Sequence, residues 1–405
     1  MEVIHPRVCG LDVHKNSITA CIIIKRKKEI RTFGTMTDDL LELLDWIQEN
    51  QCPIVAMEST GVYWKPIYNL LEVSDIEALV VNAQHIKNVP GRKSDVRDAQ
   101  WIAQLLQHGL INGSFIPNRE QRELRELVRY RRSLIEETAR ESNRIQKVLE
   151  GANIKLGSVA SNVLGVSGRK MLRALIEGNL NPEILAEMSL GALRKKIPAL
   201  QKALKGLVGT HQQFLLARQL DHVEYLEKQI EFIDKELAER LSPSSEEINL
   251  VMSIPGIGKR TAEQILAEVG TDMSRFNSDN HLASWAGMVP GENESAGKKK
   301  SARTRKGNKY LRSALVEAAK TVGRSKNFFG AKYRRIKARR GGNIASVAIG
   351  RCILIAVYHI LITKKPFQDL GEDYHLNRKK DQEVKRAIKR IEKLGYSVEI
   401  SELPA

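Results

Sequence analysis

Four carboxylates in the first hundred residues, Asp12, Glu58, Asp95 and Asp98, have the residue type and the setting for phosphoryl-transfer chemistry. Asp12 interrupts the apolar string VCGLDV, and Glu58 follows the apolar run IVAM. Burying either as a bare anion is costly unless a metal ion or a base faces it. Asp95 and Asp98 are three apart in SDVRDAQWIAQLL, a spacing that puts both on one face of a helix. Hard divalent cations take oxygen ligands, and a pair of them can activate an attacking oxygen while stabilising a leaving one. Taken singly, each acid reads equally well as a solvated surface residue. Taken together, the four fit any metal-dependent nuclease.

The elements around these acids come in a definite order. Residues 7 to 33 read as three consecutive strands (RVCGLDVH, SITACIIIKR, EIRTFGTM), an antiparallel meander with a charged turn. An amphipathic helix, TDDLLELLDWIQEN, follows with Thr37 as its expected cap. Then come a strand (PIVAMEST), a helix (GVYWKPIYNLLEV), a strand (EALVVNA) and the helix carrying Asp95 and Asp98. Three antiparallel strands followed by alternating helices and strands predict an α/β layer of the ribonuclease H type over residues 1–117.

Residues 118–245 read as a helical coiled-coil region. Leu124, Leu127, Leu134, Thr138, Ile145 and Val148 recur at helical spacing within dense mixed charge, and Val223, Leu226, Ile230, Ile233 and Leu237 form a cleaner a/d seam. The seam serves equally well within one chain or between subunits. Residues 246–405 form a third, mainly helical region. It opens on SIPGIGK, a glycine turn that suits either a phosphate-receiving helix-hairpin-helix or a plain tight turn. AIGRCILIAVYHILI, near the end, reads as a buried helix.

The chain carries 65 Lys and Arg against 48 Asp and Glu, a net charge of +17 that favours a polyanionic partner. From Lys298 to Arg340 there are 17 cations and one acid, Glu317, so this stretch holds +16 of that total. Tyr310, Phe328, Phe329 and Tyr333 interleave with the cations, as phosphate contact with some base stacking would require. A solvated charged face is the plain alternative. Cys9, Cys21, Cys52 and Cys352 are scattered, which supports neither a disulfide framework nor a zinc site and leaves them as small core residues. There is no signal-like N-terminus or long uninterrupted apolar stretch, so no membrane role is expected and the chain is placed in the cytoplasm of a bacterium or archaeon, at the nucleoid.

Several strings resemble the DEDD transposases of insertion sequences, a family that includes bridge-RNA-guided recombinases and Piv-type DNA invertases. They are GLDVHK, AMESTGVYW and VPGRKSDVRDAQWIAQLL around the acids, then IPGIG, LASWAGMVPGENESAGK, RKGNKYLR and FQDLGEDYH. The resemblance implies a RuvC-like N-terminal domain whose Asp12, Glu58, Asp95 and Asp98 bind Mg2+ or Mn2+, a coiled-coil insertion and a C-terminal transposase domain. It assigns Ser295, in a loop of the form P-x-x-x-x-S-x-G, as the nucleophile that holds the cut strand. Ala296 stands where a second glycine is common. A composite site between subunits of a dimer or tetramer, donor and target DNA, a Holliday-junction intermediate and a structured noncoding guide RNA are implied as well.

The residues around Ser295 suit that role. A hydroxyl is a weak nucleophile that needs activation and nearby cations, and Lys298, Lys299 and Lys300 follow it. A serine among glycines is otherwise a turn residue, and Ser301 is a rival in the same loop. Arg303, Arg305, Lys306, Lys309 and Arg312 are the leading candidates for nucleic-acid contact. His14, Lys15, Tyr63, Trp64 and Arg97 lie near the acids without belonging to the catalytic set. The expected function is a transposase or site-specific recombinase; a junction-resolving nuclease using water and an architectural nucleic-acid-binding protein are the alternatives.

Overall fold

The computed structural model describes residues 2–59, 61–81, 95–291, 293–295, 298–301, 304, 306–374, 384, 387–395 and 397–399; at 95–97, 293–295 and 298–301 it describes the backbone alone. The chain divides into two compact units, Met1–Pro117 and Asn118–Ala405.

In the first unit, strands β1 (Arg7–Val13), β2 (Ile18–Ile24) and β3 (Lys27–Phe33) form the meander, and β4 (Ile54–Glu58) and β5 (Glu77–Val81) complete a sheet of order β3-β2-β1-β4-β5. The first two pairings are antiparallel; β1 with β4 and β4 with β5 are parallel. Strand alternation divides the apolar side chains between two cores. Leu11, Val13, Ile22, Val55 and Met57 pack on helices α1 (Thr37–Glu49) and α2 (Trp64–Val73) through Leu43, Ile47, Ile67 and Leu71. Val8, Cys21, Ile23, Ile54 and Ala56 face α3 (Asp95–Gln107) through Ala99, Ile102, Ala103 and Leu106. Helix α1 is not capped by Thr37: the residue before the helix is Met36, whose N–H donates to Asp39 Oδ2 at 3.0 Å. The acid three residues into the helix thus reaches back to the amide of the residue before it, and the helix starts without a threonine cap.

Helix α3 lies unusually close to the sheet because β1 has a glycine beneath it. A Cβ on Gly10 would sit 2.4 Å from both Ala103 N and Ala99 O, so only glycine opposite two alanines permits this approach.

In the second unit, α4 (Arg119–Gly151) packs along α7 (Thr210–Arg240), after the shorter α5 (Val166–Ile176) and α6 (Ile197–Ala203). The long pair is antiparallel and intrachain: Glu123 meets Arg240 at 3.2 Å, Arg131 meets Asp234 at 2.8 Å, and Glu141 lies 3.6 Å from His222. Val223, Leu226, Ile230 and Leu237 are buried on α7, as their spacing predicts. On α4 the seam differs from the expected one. Its buried positions are Val128, Arg131, Leu134, Glu141, Ile145 and Leu149, while Leu124, Leu127 and Val148 are half-buried. Two charged residues sit in the seam because each has a counter-charge: Arg131 Nη1 donates to Glu263 Oε2 at 2.6 Å, and Arg144 Nη1 donates to Glu141 Oε2 at 2.6 Å.

The remaining helices, α8 (Ser245–Met252), α9 (Lys259–Val269), α10 (Asp279–Trp285), α11 (Lys309–Val322) and α12 (Phe328–Arg340), surround α13 (Gly342–Thr363) directly or through one another. Helix α13 is long and apolar enough to cross a membrane by length and composition. Here Ala345, Ile349, Ile353, Leu354, Val357 and Leu361 are buried against its neighbours, the pattern of a core helix. Glu268 on α9 is fully buried; Arg129 Nε and Nη2 donate to its two oxygens at 2.7 and 2.8 Å, and Asn308 Nδ2 donates at 2.6 Å. Burial pushes the neighbouring Arg125 guanidinium down to about 10, against the opposing pull of Glu268.

Two substitutions test these contacts. Gly10→Val forces backbone apart in the first unit, and overpacking of this kind costs about 3 kcal/mol; thermal unfolding should begin several degrees earlier, with Gly10→Ala intermediate. Glu268→Ala leaves buried cations unpaired and should destabilise the second unit by about 3–5 kcal/mol, read as a lowered urea midpoint, with Glu268→Gln restoring part of the loss.

Candidate acidic site and serine hairpin

Asp12 and Glu58 come together through the sheet. In the parallel register of β1 and β4, Leu11 pairs with Met57, and one further step sets Asp12 beside Glu58. By alternation both side chains belong to the α3 face, in line with Gly10 and Ala56. Helix α3 runs antiparallel to β1, since the carbonyl of Gln107, its last residue, accepts from the amides of Ile4 and His5 at 2.9 and 3.1 Å. Two strand residues advance about 6.6 Å and four helical residues about 6 Å. The step from Gly10 to Asp12 therefore matches the step from Ala99 back to Asp95. The first turn of α3 carries Asp95 and Asp98 over the C-terminal ends of β1 and β4, and the positive end of the helix dipole is favourable to anions there.

The Asp12 side chain is 10% exposed, and its Oδ2 lies 3.1 Å from His14 Nε2; the His14 ring is half-exposed. Glu58 and Asp98 are half-buried, and the side chains of Asp95 and Arg97 lie outside the described residues. Among the described residues no three His, Cys, Asp or Glu side chains are grouped closely enough to hold a metal ion. Lys15 is exposed, and its carbonyl accepts from Thr35 Oγ1 at 3.0 Å. Tyr63 is exposed; Trp64 packs against the α1 and α2 core, edge-on to Tyr68 with ring centroids 5.4 Å apart.

In the second unit, Ser295 ends strand β6 (Asn293–Ser295), which pairs antiparallel with β7 (Lys298–Ser301). Ser295 is opposite Lys298, at the hairpin tip, whereas Ser301 pairs with Asn293 at its base. What reads as a loop in sequence is thus a short hairpin with a bulge between Asn293 and Glu294. The side chains of Ser295, Lys298, Lys299, Lys300 and Ser301 lie outside the described residues, as do Arg303 and Arg305 entirely.

The segment after the hairpin is fixed from behind. Gly307 passes so close to Gly287 that a Cβ would lie 2.3 Å from the Gly287 nitrogen. Asn308 caps α11, its Oδ1 accepting from Tyr310 N and Leu311 N at 3.1 Å, while its amide reaches Glu268. Arg312 Nη1 donates to Gly287 O at 3.1 Å and Thr304 Oγ1 at 2.6 Å. The string RKGNKYLR therefore has a structural use, and Arg312, a candidate for nucleic-acid contact, is held by partners within the chain. Lys306 and Lys309 are exposed. The aromatic residues are occupied as well: the Tyr310 ring lies 4.4 Å from the Arg129 guanidinium, Phe329 stacks on Phe367 at 5.2 Å, Phe328 meets Tyr374 edge-on, and Tyr333 Oη approaches Ser346 Oγ at 3.4 Å. Arg125, Arg129 and Glu268 escaped the sequence reading because ordinary charges on two distant helices carry no local sign that they meet.

The glycine turn joins α8 to α9. Gly256 takes φ +85° and lies against α11, where a Cβ would be 3.0 Å from Ala318 O; Gly258 opens on free space at the start of α9. Burial raises the thiol pKa values of Cys21 and Cys52 to about 11 and that of Cys9 well above its ordinary value, as for core thiols. Cys352 is half-buried and accepts from Lys332 Nζ at 3.1 Å.

Comparison with known proteins adds a second line of argument. Residues 9–154 match a transposase family of the DEDD, IS110 type, and residues 248–334 match the transposase IS116/IS110/IS902 family. The transposase for insertion sequence element IS1111A of Coxiella burnetii is 24% identical over 374 residues, covering 89% of this chain and 91% of its own. The pilin gene-inverting protein of Moraxella bovis is 24% identical over 372 residues, covering 88% and 96%. The transposase for insertion sequence element IS1328 of Yersinia enterocolitica is 24% identical over 315 residues, covering 77% and 82%. With an acidic sheet and a serine hairpin each falling inside a matched stretch, in the same order along the chain, the protein belongs to the IS110-type DEDD transposases and is a DNA transposase.

Proposed function

We propose that the chain cuts and rejoins DNA strands with two sets of residues, Asp12, Glu58, Asp95 and Asp98 on a RuvC-like first domain to hold the metal and Ser295 on the second to carry the strand. The observation that carries this reading is the convergence of Asp12 and Glu58 on one sheet face beneath the first turn of α3. Their donor set fits a hard divalent cation: carboxylate oxygens, one of them on a nearly buried Asp12, at a helix N-terminus. Mg2+ or Mn2+, when bound by these four acids, supplies positive charge that offsets the charge building on the phosphate. Ser295 Oγ gives up its proton and forms a bond to phosphorus as the bond from phosphorus to the adjoining nucleotide oxygen breaks, and that oxygen takes up a proton, so none is gained or lost overall. The three lysines that follow in β7 lie near in sequence to the developing charge. The phosphoserine ester retains the energy of the phosphodiester, so rejoining needs no ATP.

The hairpin supports this role because Ser295 is set at its tip while the base is held by Arg312 and Asn308. The exposed Lys306 and Lys309 and the PGIGK turn suit backbone contact with DNA. The pilin gene-inverting relatives favour recombination between DNA segments, and the family resemblance implies a Holliday-junction-like intermediate. A structured noncoding guide RNA and assembly as a dimer or tetramer with a composite site follow from the family resemblance, as does a cytoplasmic, nucleoid place of action.

Asp12→Ala and Asp98→Ala should each lower strand cleavage by roughly 100- to 1,000-fold, and a chelator should have the same effect on the wild type, in a gel assay on supercoiled DNA carrying the element's ends. Ser295→Ala should abolish SDS-resistant protein–DNA adducts and rejoining together. Cleavage that persists in Ser295→Ala would instead make water the nucleophile and the protein a nuclease. RNA that co-purifies with the native protein should be one defined species transcribed beside the gene; random fragments would remove the guide.

A further inference from the structure

The cations of the basic segment do not form one surface. Arg312, Lys332 and Arg334 have partners within the chain: Gly287 and Thr304, Cys352, and Ser325 with Glu372, respectively. On α12, by contrast, Arg335, Lys337, Arg339 and Arg340 are exposed and make no ion pair or side-chain hydrogen bond among the described residues. Three of them fall in the last turn, where the helix dipole welcomes cations. Arg335 lies before that turn, and the arrangement of the set goes beyond what a dipole needs.

Helical spacing of 3.6 residues per turn sorts α12 into four sides. Phe329, Tyr333 and Ile336 face inward, and Phe329 is buried. Arg335 and Arg339, four apart, share one flank. Lys337 lies on the other, next to Arg334, whose guanidinium is held by Ser325 and Glu372. Between the flanks, on the side opposite Phe329, lie Ala331 and Ala338, the first half-buried and the second exposed. A low crest with cations splayed to both sides suits a groove whose two walls are negatively charged. The major groove of B-form DNA admits an α-helix and has phosphates along both walls, and small apolar side chains can meet its base edges. The A-form RNA major groove is too narrow for a helix. Single strands call for stacking platforms, and the aromatic residues of α12 are engaged in packing.

We propose that α12 docks in the major groove of duplex DNA, with its two cationic flanks on the opposing phosphate walls and its alanine crest toward the base edges. The assignment rests on the reading of this chain as a DNA recombinase and adds a duplex-holding surface apart from the serine hairpin.

The test is the salt dependence of binding by the full-length protein to a short DNA duplex, the matching single strand and an RNA hairpin, between about 50 and 200 mM salt. Combined Arg335→Gln, Lys337→Gln and Arg339→Gln should make the plot of log K against log salt for duplex DNA shallower by about 2.7, at 0.9 per lost phosphate contact. Binding to the single strand and to RNA should change little. Ala338→Glu, which keeps every cation, should weaken duplex binding at least about tenfold by placing an acid on the crest. A charge-matched control, Lys195→Gln, Lys202→Gln and Lys205→Gln, should leave the slope in place. An unchanged slope in the α12 variant, an equal change in the control, or an equal loss on RNA and single strands overturns the proposal. Adduct formation by wild-type Ser295 is followed in parallel: its absence overturns the recombinase reading, while the duplex result stands on the slope alone.

Discussion

The site in the first unit depends on one close contact, the seating of α3 on Gly10. A helix on a sheet normally stands off by the thickness of its side chains, and here Ala99 and Ala103 meet a strand with no side chain at all. That proximity decides what lies one repeat further along. The helix and the strand run in opposite directions, so removing the standoff at Gly10 also brings Asp95 and Asp98 down toward Asp12. Sheet order does the rest. Because β4 returns parallel to β1, their C-terminal ends share one edge, and Glu58 arrives beside Asp12 without a special turn. Under the proposed function, acids brought to this edge would repel each other, and the helix N-terminus together with a bound divalent cation would offset that cost.

The second unit uses buried charge for the same purpose of fixing a short element. Glu268 has no solvent contact, and its oxygens are taken by Arg129 and Asn308, with Arg125 alongside. These partners come from α4 and from the residue that caps α11. One carboxylate therefore ties the long helix, α9 and the strand leading away from the hairpin to a single arrangement. Removing Glu268 takes the counter-charge away from two arginines at once, so the carboxylate is the hinge of the network. A hairpin as short as β6–β7 has little stability of its own, and a rigid base is what would let its tip serve the role proposed for Ser295.

How much of this was legible in the sequence depends on where the information sits. The sheet and its helices are legible because alternation and helical periodicity are local, and the α7 seam is legible because it is wholly apolar. The α4 seam is not, since Arg131 and Glu141 occupy core positions: the partners of Arg131, Glu263 and Asp234, are remote in sequence, and Glu141 has His222 across the seam besides Arg144 on its own helix. Met36 before α1 escaped for a related reason: the satisfying acid lies inside the helix at Asp39, and threonine seemed the better cap. The pairing of Asp12 with Glu58 follows from strand order once the strands are known, but the approach of α3 requires knowing what faces Gly10. Ser295 stood out through resemblance alone, because nothing in its neighbours distinguishes a nucleophile from a turn residue.

The basic segment shows why counting charge overstates a binding surface. A net +16 over one stretch implies a partner of opposite sign, yet it does not say which cations are free to meet it. Arg312 and Arg334 hold backbone carbonyls, Lys332 reaches Cys352, and the interleaved aromatic rings are packed against one another or beneath Arg129. Among the described residues, the cations left in solvent are spread over the residues leading into α11, close in sequence to the serine hairpin, over Lys320, Arg324 and Lys326 between α11 and α12, and over the far end of α12. On the proposed mechanism, a protein holding a strand covalently while its duplex is rearranged would need two grips that can act separately, one at the reacting phosphate and one on the helix beyond it. Placing the cations on two elements with different anchors gives the chain that separation, whereas a single continuous basic face would bind both regions as one.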